Sequence, residues 1–505
     1  MLKILTLLCA LAAAPLLRAG TAEHVVLITW DGFRPDFVTE ANTPTLYKMA
    51  QQGTFFAQHH AAYPSTTEVN GVTLATGMYP AHSGLMGNRE YRPLINPAEA
   101  SAMESLTVVK KGDEVTLGNY LAVPTIFETL QAAGFPTAIA GTKAVALLPN
   151  RKATPSSPTV FEGKTLPTDL LATLEAAHGK FPPVVTFPDL PQNQWTVDVL
   201  VDSLWKDQVP KLSLLWLSDP DFSQHKTQLG SETSLASIKA NDALLAKVLA
   251  ALEAKGIRDK TDVLLVSDHG FSTVDQVANF TELLNAAGFH AFRKFTHQPA
   301  PGDILVVNNG SVFFYITGHD AATEQKLVSF LQQSGLCAVV FSQDTQPGTF
   351  PLSAVHVDTP DAPDVIAALT WNDQPNASGV KGLMTVDRTA DKATGQGMHG
   401  SLSPYDMHNT LIANGPDFKS GFVSQVPSGN IDVAPTILNL LNIAPLQKMD
   451  GRVLTEAFRQ TDTPIISSEI TTPEASAGHW RQYLKISNVG RTEYFDEGNC
   501  GAPQK

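Results

Sequence analysis

Four apolar runs recur along the chain, separated by segments with helical spacing. Their sequences are HVVLITW, FPTAIAG, KLSLLWLS and DVLLVSD. Continuous apolar runs of this length are typical of strands that are buried on both faces of a parallel sheet. Between them, segments such as NTPTLYKMAQQG, with a proline near the start and a glycine at the end, predict helices. The alternation predicts an α/β fold, a three-layer sandwich around a mainly parallel central sheet.

Several stretches depart from this alternation. We predict that residues 91–123 and the proline-rich residues 151–194 are loops or inserted elements above the sheet. Residues 271–396 contain strands and a helix of their own, which predicts a small α+β insertion that caps the site. The core pattern then returns with NTLIANG and DVAPTILNLLN. We therefore expect one main domain over 21–460, with the insertion inside it, and a C-terminal hairpin or tail over 461–505.

The N-terminus has the pattern of a secretory signal. Lys3 precedes an apolar run from Ile4 to Ala14, and the small residue Ala19 follows. Neither this run nor any later one reaches the roughly 18 apolar residues that a membrane-spanning helix needs, so we expect no transmembrane anchor. Cys9 lacks the small residue expected before a lipid-modified cysteine, which disfavours a lipid anchor. We expect a signal peptide over 1–20 and a secreted or periplasmic protein.

Composition excludes some functional classes. With 43% hydrophobic and 17% charged residues among 505, the chain can bury a large core, and disorder is excluded as its main property. The formal net charge of −14 argues against a nucleic-acid-binding surface. If such an acidic protein binds anions, it needs a local positive charge, which bound metal cations could supply. Cys337 and Cys500 could pair or stay free, and their spacing leaves both alternatives open.

The stretch AAYPSTTEVNGVTLATG contains a junction between an extended run and a helix-compatible run. Thr67 stands at this junction, where its hydroxyl would lie beside the free N–H groups of a helix N-terminus. Such a position can hold an anion. The alternative is a plain helix cap, which is the usual role of serine and threonine before a helix.

Aspartates and histidines lie where the apolar runs end. In open α/β sheets, ligands bind just beyond the carboxyl ends of the strands. Asp221 and His225 are four residues apart and would share one face of a helical turn. Asp268 and His269 are adjacent, so both can serve one region only where the strand breaks into a loop, which Gly270 permits. Each could singly be a cap or a surface residue, but three aspartates, three histidines and a threonine together form a mixed N/O set suited to zinc or a similar divalent ion. The aspartates and histidines at these strand ends and turns are Asp31, Asp219, Asp221, His225, Asp268, His269 and His399.

Six motifs together resemble a known family. WDGFRPD, TPTLYKMAQQGTFF, YPSTTEVNGVTLATGMYPAHSG, SDPDFSQHK, SDHG and GMHG are similar, in order and spacing, to the alkaline phosphatase superfamily. The resemblance is closest to the type I phosphodiesterase/nucleotide pyrophosphatase family and extends from Val25 to Leu441. It implies an alkaline phosphatase-like catalytic domain and a hydrolase of phosphoric esters with two divalent metal ions, expected to be Zn²⁺.

The resemblance also implies roles for individual residues. One metal ion would be bound by Asp221, His225 and His399. The second would be bound by Asp31, Asp268, His269 and the oxygen of Thr67. Thr67 would also be the nucleophile and become covalently phosphorylated. Asn70 would donate a hydrogen bond to a phosphoryl oxygen of the substrate.

Some residues depart from the family pattern and leave the substrate open. Glu68, Val69 and Gly71 stand where eukaryotic members have an aromatic–proline pair and a histidine. PSTTEVN, GLMGN and FSQHK also resemble phosphonoacetate hydrolase of the same superfamily, and Lys143 in GTKAVALL is a candidate for binding a substrate anion, or else an exposed surface lysine.

Three functional hypotheses follow. A phosphodiesterase or nucleotide pyrophosphatase is ranked first. A phosphonate or phosphomonoester hydrolase that uses Lys143 is the alternative enzyme, and a metal-retaining binding protein is the alternative without catalysis. The expected substrate is a small-molecule phosphate ester or phosphonate; the leaving group and the oligomeric state are not determined by the sequence.

Overall fold

A computed structural model describes residues 20–460 and 466–501. The predicted signal peptide, residues 1–20, lies outside the described residues except for Gly20. The predicted boundary between residues 460 and 461 falls where the first described range ends. The main sheet has nine strands, in the spatial order Phe422–Ser424, Thr54–Phe56, Leu411–Asn414, Thr261–Val266, His24–Trp30, Leu212–Leu217, Thr137–Gly141, Thr159–Phe161 and Lys164–Leu166.

The centre of the main sheet is parallel. His24–Trp30 pairs in parallel with Thr261–Val266 on one side and with Leu212–Leu217 on the other. Thr137–Gly141 continues the parallel set, whereas Leu411–Asn414 pairs in the antiparallel direction with Thr261–Val266. The predicted α/β fold with a mainly parallel sheet is confirmed, and the sheet is mixed at its edges.

Both faces of the main sheet are covered, because successive side chains of a strand point to opposite faces. Val25 and Leu27 belong to one apolar core, in which the helices Thr67–Thr76 and Val433–Leu440 pack. Val26 and Ile28 belong to a second core together with residues of the long helix Glu232–Ala254. Each such fully buried side chain contributes about 1.5–3 kcal/mol. The layers are therefore helix, sheet and helix.

The α-helices of the described residues follow the predicted alternation in most places. The helix Pro44–Gln52 begins with proline at its first position and ends before Gly53, as predicted. Within the described chain the α-helices are Pro44–Gln52, Thr67–Thr76, Pro80–Ser83, Leu106–Val115, Ile126–Ala132, Leu170–His178, Leu190–Asp198, Asp221–Lys226, Glu232–Ala254, Phe280–Ala286, Ala321–Gln333, Pro404–Met407 and Val433–Leu440. None of the described helices is both long enough and apolar enough to cross a bilayer.

Residues 151–194 are more regular than predicted. Thr159–Phe161 and Lys164–Leu166 join the edge of the main sheet instead of lying above it. Each of these two strands has only three residues. A pattern that short cannot distinguish a strand from a loop in the sequence. The α-helix Leu190–Asp198 begins inside this stretch and continues as a π-helix over Val199–Leu204.

Two further sheets lie in the region of the predicted insertion. One has six strands, Ala291–Phe292, Ile304–Asn309, Ser311–Ile316, Val365–Leu369, Cys337–Ser342 and Phe350–Pro351. The other has four strands, Trp371–Pro375, Lys381–Asp387, Ser272–Ala278 and Gly397–Met398. The role of 271–396 as a cap stays a prediction.

A hairpin lies near the end of the described residues. Its strands are Trp480–Val489 and Thr492–Cys500, and the short strands Glu469–Thr471 and Glu474–Ala477 pair with the first of them. Gln482 exchanges two hydrogen bonds with the backbone of Val340, which fastens the hairpin to the six-stranded sheet. The small two-stranded pairings are His59–His60 with Ser428–Gly429, and Arg89–Glu90 with Ser101–Ala102. Cys337 and Cys500 are both free thiols.

Gly270, which follows the central strand Thr261–Val266, is required by a close backbone approach. Its N–H donates to the carbonyl of Asp406. A Cβ atom at this position would lie 2.1 Å from the Tyr405 carbonyl oxygen and 2.7 Å from that of His408. The glycine is thus needed for packing and not, within the described backbone, for a positive φ.

We expect Gly270→Ala to lower the free energy of unfolding by about 3 kcal/mol, because the clash is with backbone atoms that cannot rotate away. Urea unfolding measures this loss. The control is Gly256→Ala, where no atom lies within 4 Å of the added Cβ and φ is +66°. It should cost only about 1 kcal/mol of backbone strain. Equal losses for the two variants would contradict the packing explanation.

Candidate active site

Three neighbouring strands of the main sheet end at the candidate site. Asp31 directly follows His24–Trp30, and Asp221 begins the helix Asp221–Lys226 just after Leu212–Leu217. Asp268 and His269 follow Thr261–Val266. Because neighbouring parallel strands end at the same edge, their terminal side chains converge there. The sheet topology alone brings these predicted residues together.

The first group of possible metal ligands consists of Asp221, His225 and His399. The Nε2 atom of His225 lies 3.1 Å from Asp221 Oδ1, one helical turn away as predicted. The Nε2 atom of His399 lies 3.5 Å from the same oxygen. His399 follows the strand Gly397–Met398, so the four-stranded sheet supplies this ligand to the main sheet.

The second group consists of Asp31, Asp268 and His269, with Thr67 beside it. The Nε2 atom of His269 lies 3.6 Å from Asp31 Oδ1 and 3.2 Å from Asp268 Oδ2. Thr67 Oγ1 is 3.2 Å from the same Nε2 atom. Thr67 is the first residue of the helix Thr67–Thr76, and the preceding Thr66 makes no side-chain cap hydrogen bond. A plain N-cap does not account for this pair of hydroxyls.

The three imidazoles all present Nε2 to the site. Their Nδ1 atoms donate to backbone carbonyls, His225 to Gly397, His269 to Gly270 and His399 to Ser65. An Nδ1–H in a neutral ring leaves a free electron pair on Nε2. Burial lowers the pKa of all three rings, which keeps them neutral. Backbone carbonyls that orient the ring in this way are typical of histidines that ligate metals.

Three carboxylate oxygens at the site lack a hydrogen-bond partner among the described residues. They are Asp31 Oδ1, Asp221 Oδ1 and Asp268 Oδ2, and all are buried. Burial and the neighbouring charge of Asp268 raise the pKa of Asp31 well above its usual value, and burial raises the pKa of Asp268 to about 7. Leaving such charges unpaired is costly. A cation between them would remove that cost.

The distances fit zinc. Metal–ligand bonds of about 2.1 Å in a tetrahedron place neighbouring ligand atoms about 3.4 Å apart. The four N–O distances of the two groups, 3.1, 3.5, 3.6 and 3.2 Å, lie around this value. Each of these distances runs from an unpaired carboxylate oxygen to an Nε2 atom that carries a free electron pair. Each group therefore suits one divalent ion.

Lys143 lies between the two groups. Its ammonium is 3.0 Å from Asp31 Oδ2 and 2.7 Å from Asp221 Oδ2. Burial opposes its charge, but the two carboxylates outweigh burial and hold its pKa well above the usual value. It uses the Oδ2 atoms and leaves both Oδ1 atoms free. Lys143 is thus not a surface residue, and whether it also binds a substrate anion stays a prediction.

Asn70 supports the loop that carries Thr67. Its side-chain amide donates to the carbonyls of Ala62, Pro64 and Thr66, and its Oδ1 accepts from the N–H of Ala62. The predicted contact with a phosphoryl oxygen would require it to give up one of these acceptors. That contact stays a prediction.

Asp219 is not part of either group, although it also follows the strand Leu212–Leu217. It accepts hydrogen bonds from the N–H and the hydroxyl of Ser223 and from the N–H of Asp189. Its role is to hold the helix that presents Asp221. Sequence spacing could not separate the two aspartates, because both lie at the same strand end.

Two residues at the site were missed by the sequence interpretation. Trp216 donates its indole N–H to Asp31 Oδ2 at 2.8 Å, and Asn430 donates to Asn70 Oδ1 at 2.9 Å. An indole among aliphatic residues in KLSLLWLS is a weak signal that could have suggested a hydrogen-bond partner. Nothing in the local sequence of Asn430 indicates its contact.

We expect Asp268→Asn and His399→Ala each to lower the bound metal by one ion per chain, because each removes a ligand from a different group. Metal analysis of the purified, dialysed protein measures this. Asp219→Asn is the matched control, since it changes an aspartate at the same edge outside both groups, and should keep its metal. Loss of metal in the control alone would contradict the assignment.

The sequence is similar to those of known proteins over most of its length. A family model for type I phosphodiesterase / nucleotide pyrophosphatase matches residues 25–402. Mouse ectonucleotide pyrophosphatase/phosphodiesterase family member 7 is 23% identical over 478 residues, which cover 92% of this chain and 94% of that protein. Rat family member 3 is 22% identical over 434 residues, 83% of this chain and 42% of its own length.

Solved structures of related proteins share the fold. Human ectonucleotide pyrophosphatase/phosphodiesterase 5 has a TM-score of 0.60 at 18% identity, covering 86% of this chain and all 100% of its own. An inactive threonine-to-alanine variant of the murine protein 5, in complex with AMP, has a TM-score of 0.61 at 16% identity with the same coverage. The chain belongs to the type I phosphodiesterase/nucleotide pyrophosphatase family, and is a metal-dependent hydrolase of phosphoric esters.

Proposed function

We propose that the protein is a secreted or periplasmic phosphodiesterase or nucleotide pyrophosphatase that uses two zinc ions and a phosphothreonine intermediate. One observation carries the proposal. The hydroxyl of Thr67 lies 3.2 Å from a ligand atom of one metal group, at the first residue of a helix. A nucleophile in that place can attack a phosphorus atom that the helix N-terminus helps to hold.

Zinc is the metal that the residues favour. Three imidazoles and three carboxylates provide mixed nitrogen and oxygen ligands, whereas magnesium and calcium prefer oxygen alone. When bound, two such ions stabilise charge on the attacking and leaving oxygens and lower the pKa of the attacking hydroxyl.

The reaction on the protein side has two steps. Thr67 Oγ1 loses its proton to solvent and bonds to phosphorus, while the bond from phosphorus to the leaving oxygen breaks on the opposite side and that oxygen takes up a proton from solvent. Asp221, His225 and His399 form the group that Thr67 does not contact, and they would hold the metal ion that stabilises charge on the leaving oxygen. Water then hydrolyses the phosphothreonine, which releases the phosphoryl group and restores the hydroxyl. Asn70 would hold Thr67 in line and donate to a phosphoryl oxygen.

The substrate ranking depends on Lys143. A terminal phosphate or a carboxylate carries a second charge that needs an additional cation. The ammonium of Lys143 is already shared by Asp31 and Asp221. This contact supports a diester, which has a single charge, as the preferred substrate. AMP, the monoester in complex with the murine relative, has the form of a product of nucleotide diester or pyrophosphate hydrolysis, which supports a nucleotide as part of the substrate.

The second candidate is a phosphonate or phosphomonoester hydrolase, because the site contains a partly buried lysine that could bind a second substrate charge. Rates on four substrates separate the candidates: a diester, a monoester, a nucleoside triphosphate and phosphonoacetate, each with zinc supplied. We expect the highest kcat/KM on the diester or the triphosphate. A preference for phosphonoacetate or the monoester would support the second candidate instead, and no hydrolysis of any would support a binding protein.

We expect Thr67→Ala to lower kcat by on the order of 10³-fold or more with the fold and the metal intact, because the nucleophile is lost while six protein ligands remain. Circular dichroism and metal analysis check the fold and the metal. Thr67→Ser should keep partial activity. The control is Thr66→Ala, whose buried hydroxyl has no hydrogen-bond partner in the described chain. The nucleophile would be wrongly assigned if Thr66→Ala lost activity and Thr67→Ala kept it.

We expect Lys143→Ala to slow diester and monoester hydrolysis to a similar degree and to weaken metal binding by about 10- to 100-fold, because it removes a contact that orients two ligands. Activity titrations with zinc measure the shift. Lys226→Ala, an exposed lysine on the helix of Asp221, serves as the control and should change neither. A loss confined to the monoester and phosphonoacetate would instead identify Lys143 as a substrate clamp.

A further inference from the structure

We propose a third metal site, formed by His60, His408 and Asp496, which binds zinc or a similar divalent ion and fastens the C-terminal hairpin to the core. Its three residues come from distant parts of the chain. His60 lies in the short strand His59–His60, and His408 follows the helix Pro404–Met407. Asp496 lies in the second strand of the hairpin, Thr492–Cys500. None of them belongs to the two groups at the catalytic site.

The distances resemble those of the catalytic groups. Asp496 Oδ1 lies 3.1 Å from His60 Nε2 and 3.7 Å from His408 Nε2. The three ligand atoms all lie within 4.8 Å of one another. The 3.1 and 3.7 Å separations bracket the roughly 3.4 Å expected between ligands of tetrahedral zinc. The backbones of His60 and His408 also pair in a β-bridge, which fixes the two rings side by side.

Hydrogen bonds define the atoms that face the centre. His60 Nδ1 donates to the carbonyl of Ser428 at 2.9 Å, so in the neutral ring Nε2 carries a free electron pair. That pair faces a carboxylate oxygen at 3.1 Å. Two acceptors at this distance repel unless a proton on Nε2 or a metal ion lies between them. The same carbonyl-bound Nδ1 occurs in all three histidines of the catalytic groups.

The other carboxylate oxygen is already bound. Ser487, on the first strand of the hairpin, donates its hydroxyl to Asp496 Oδ2 at 2.9 Å. This contact orients Asp496 and leaves Oδ1 toward the two rings, as partners of metal-bound carboxylates do. Burial, together with His60, lowers the pKa of His408 to about 3, which keeps the His408 ring neutral and able to bind a metal.

The expected ion is a borderline divalent metal with one open position. Two imidazoles and one carboxylate form a three-ligand set that matches zinc, with water or a fourth ligand completing the tetrahedron. The side chain of His408 is 26% exposed, so the site can exchange metal with solvent.

The third metal site would link the C-terminal hairpin to the core, near the segment that leads to Thr67. The neighbouring His59 contacts Asn430, which in turn donates to Asn70 and to the carbonyl of Asp268. A metal at the third site would therefore hold the hairpin against the strand that leads to Thr67. We expect it to act on stability and not on the chemical step.

The test is the metal content of the purified full-length protein after dialysis against metal-free buffer. We expect three ions per chain in the natural sequence, two in His408→Ala and two in Asp496→Asn, with diester hydrolysis within about threefold of normal. The Tm in zinc should fall by roughly 2–5 °C in both variants. Two ions in the natural protein, or three in either variant, would overturn the third site.

Two further variants keep the result independent of folding and of the proposed function. His356→Ala is the control for the hairpin, because His356 also binds the hairpin, 2.9 Å from Glu493 Oε2, outside the three-ligand set. It should keep three ions. The double variant Asp268→Asn with His399→Ala should lose activity and retain one ion. Retention of none would overturn the third site while leaving the catalytic assignment intact.

Hydrogen exchange provides a second readout on the natural protein. Chelation should speed exchange in the hairpin strands Trp480–Val489 and Thr492–Cys500, and added zinc should reverse it. Asp496→Asn should show the faster exchange with or without zinc. If exchange in the hairpin does not respond to zinc in the natural protein, no metal fastens it.

Discussion

The structure depends on three buried carboxylates that face one another at the edge of the main sheet. Asp31, Asp221 and Asp268 each leave an oxygen without a hydrogen-bond partner in the described chain. Like charges this close, removed from water, oppose folding unless cations compensate them. The Lys143 ammonium balances the charge of the Oδ2 atoms of Asp31 and Asp221. The neutral imidazoles bring no positive charge to the three unpaired oxygens, so metal ions would have to supply it. The site is therefore built to be completed by cations.

Much of this arrangement could be predicted from sequence. Long apolar runs identify buried parallel strands because few other structures bury both faces of a segment, and ligands gather at the carboxyl ends of such strands. These two rules predict that Asp31, Asp221 and Asp268 lie together. The i, i+4 spacing also predicted correctly that His225 would face Asp221.

Other features could not be predicted, because they depend on contacts between distant segments. Asp219 and Asp221 have the same local pattern, and only the hydrogen bonds that Asp219 accepts from Ser223 and Asp189 distinguish the two. The position of the Lys143 ammonium depends on two partners that are 112 and 78 residues away in sequence. The two short strands between Thr159 and Leu166 carry too few residues for a periodic signal.

The central claim is that two metal ions occupy the edge of the main sheet on either side of Lys143. Anomalous diffraction at the zinc edge, from crystals grown with zinc, tests it most directly. We expect two peaks about 4 Å apart, one bonded to Asp221, His225 and His399 and the other to Asp31, Asp268, His269 and Thr67. A fully active enzyme whose crystals show no peak at these residues, with the Lys143 ammonium as the only cation there, would contradict the claim.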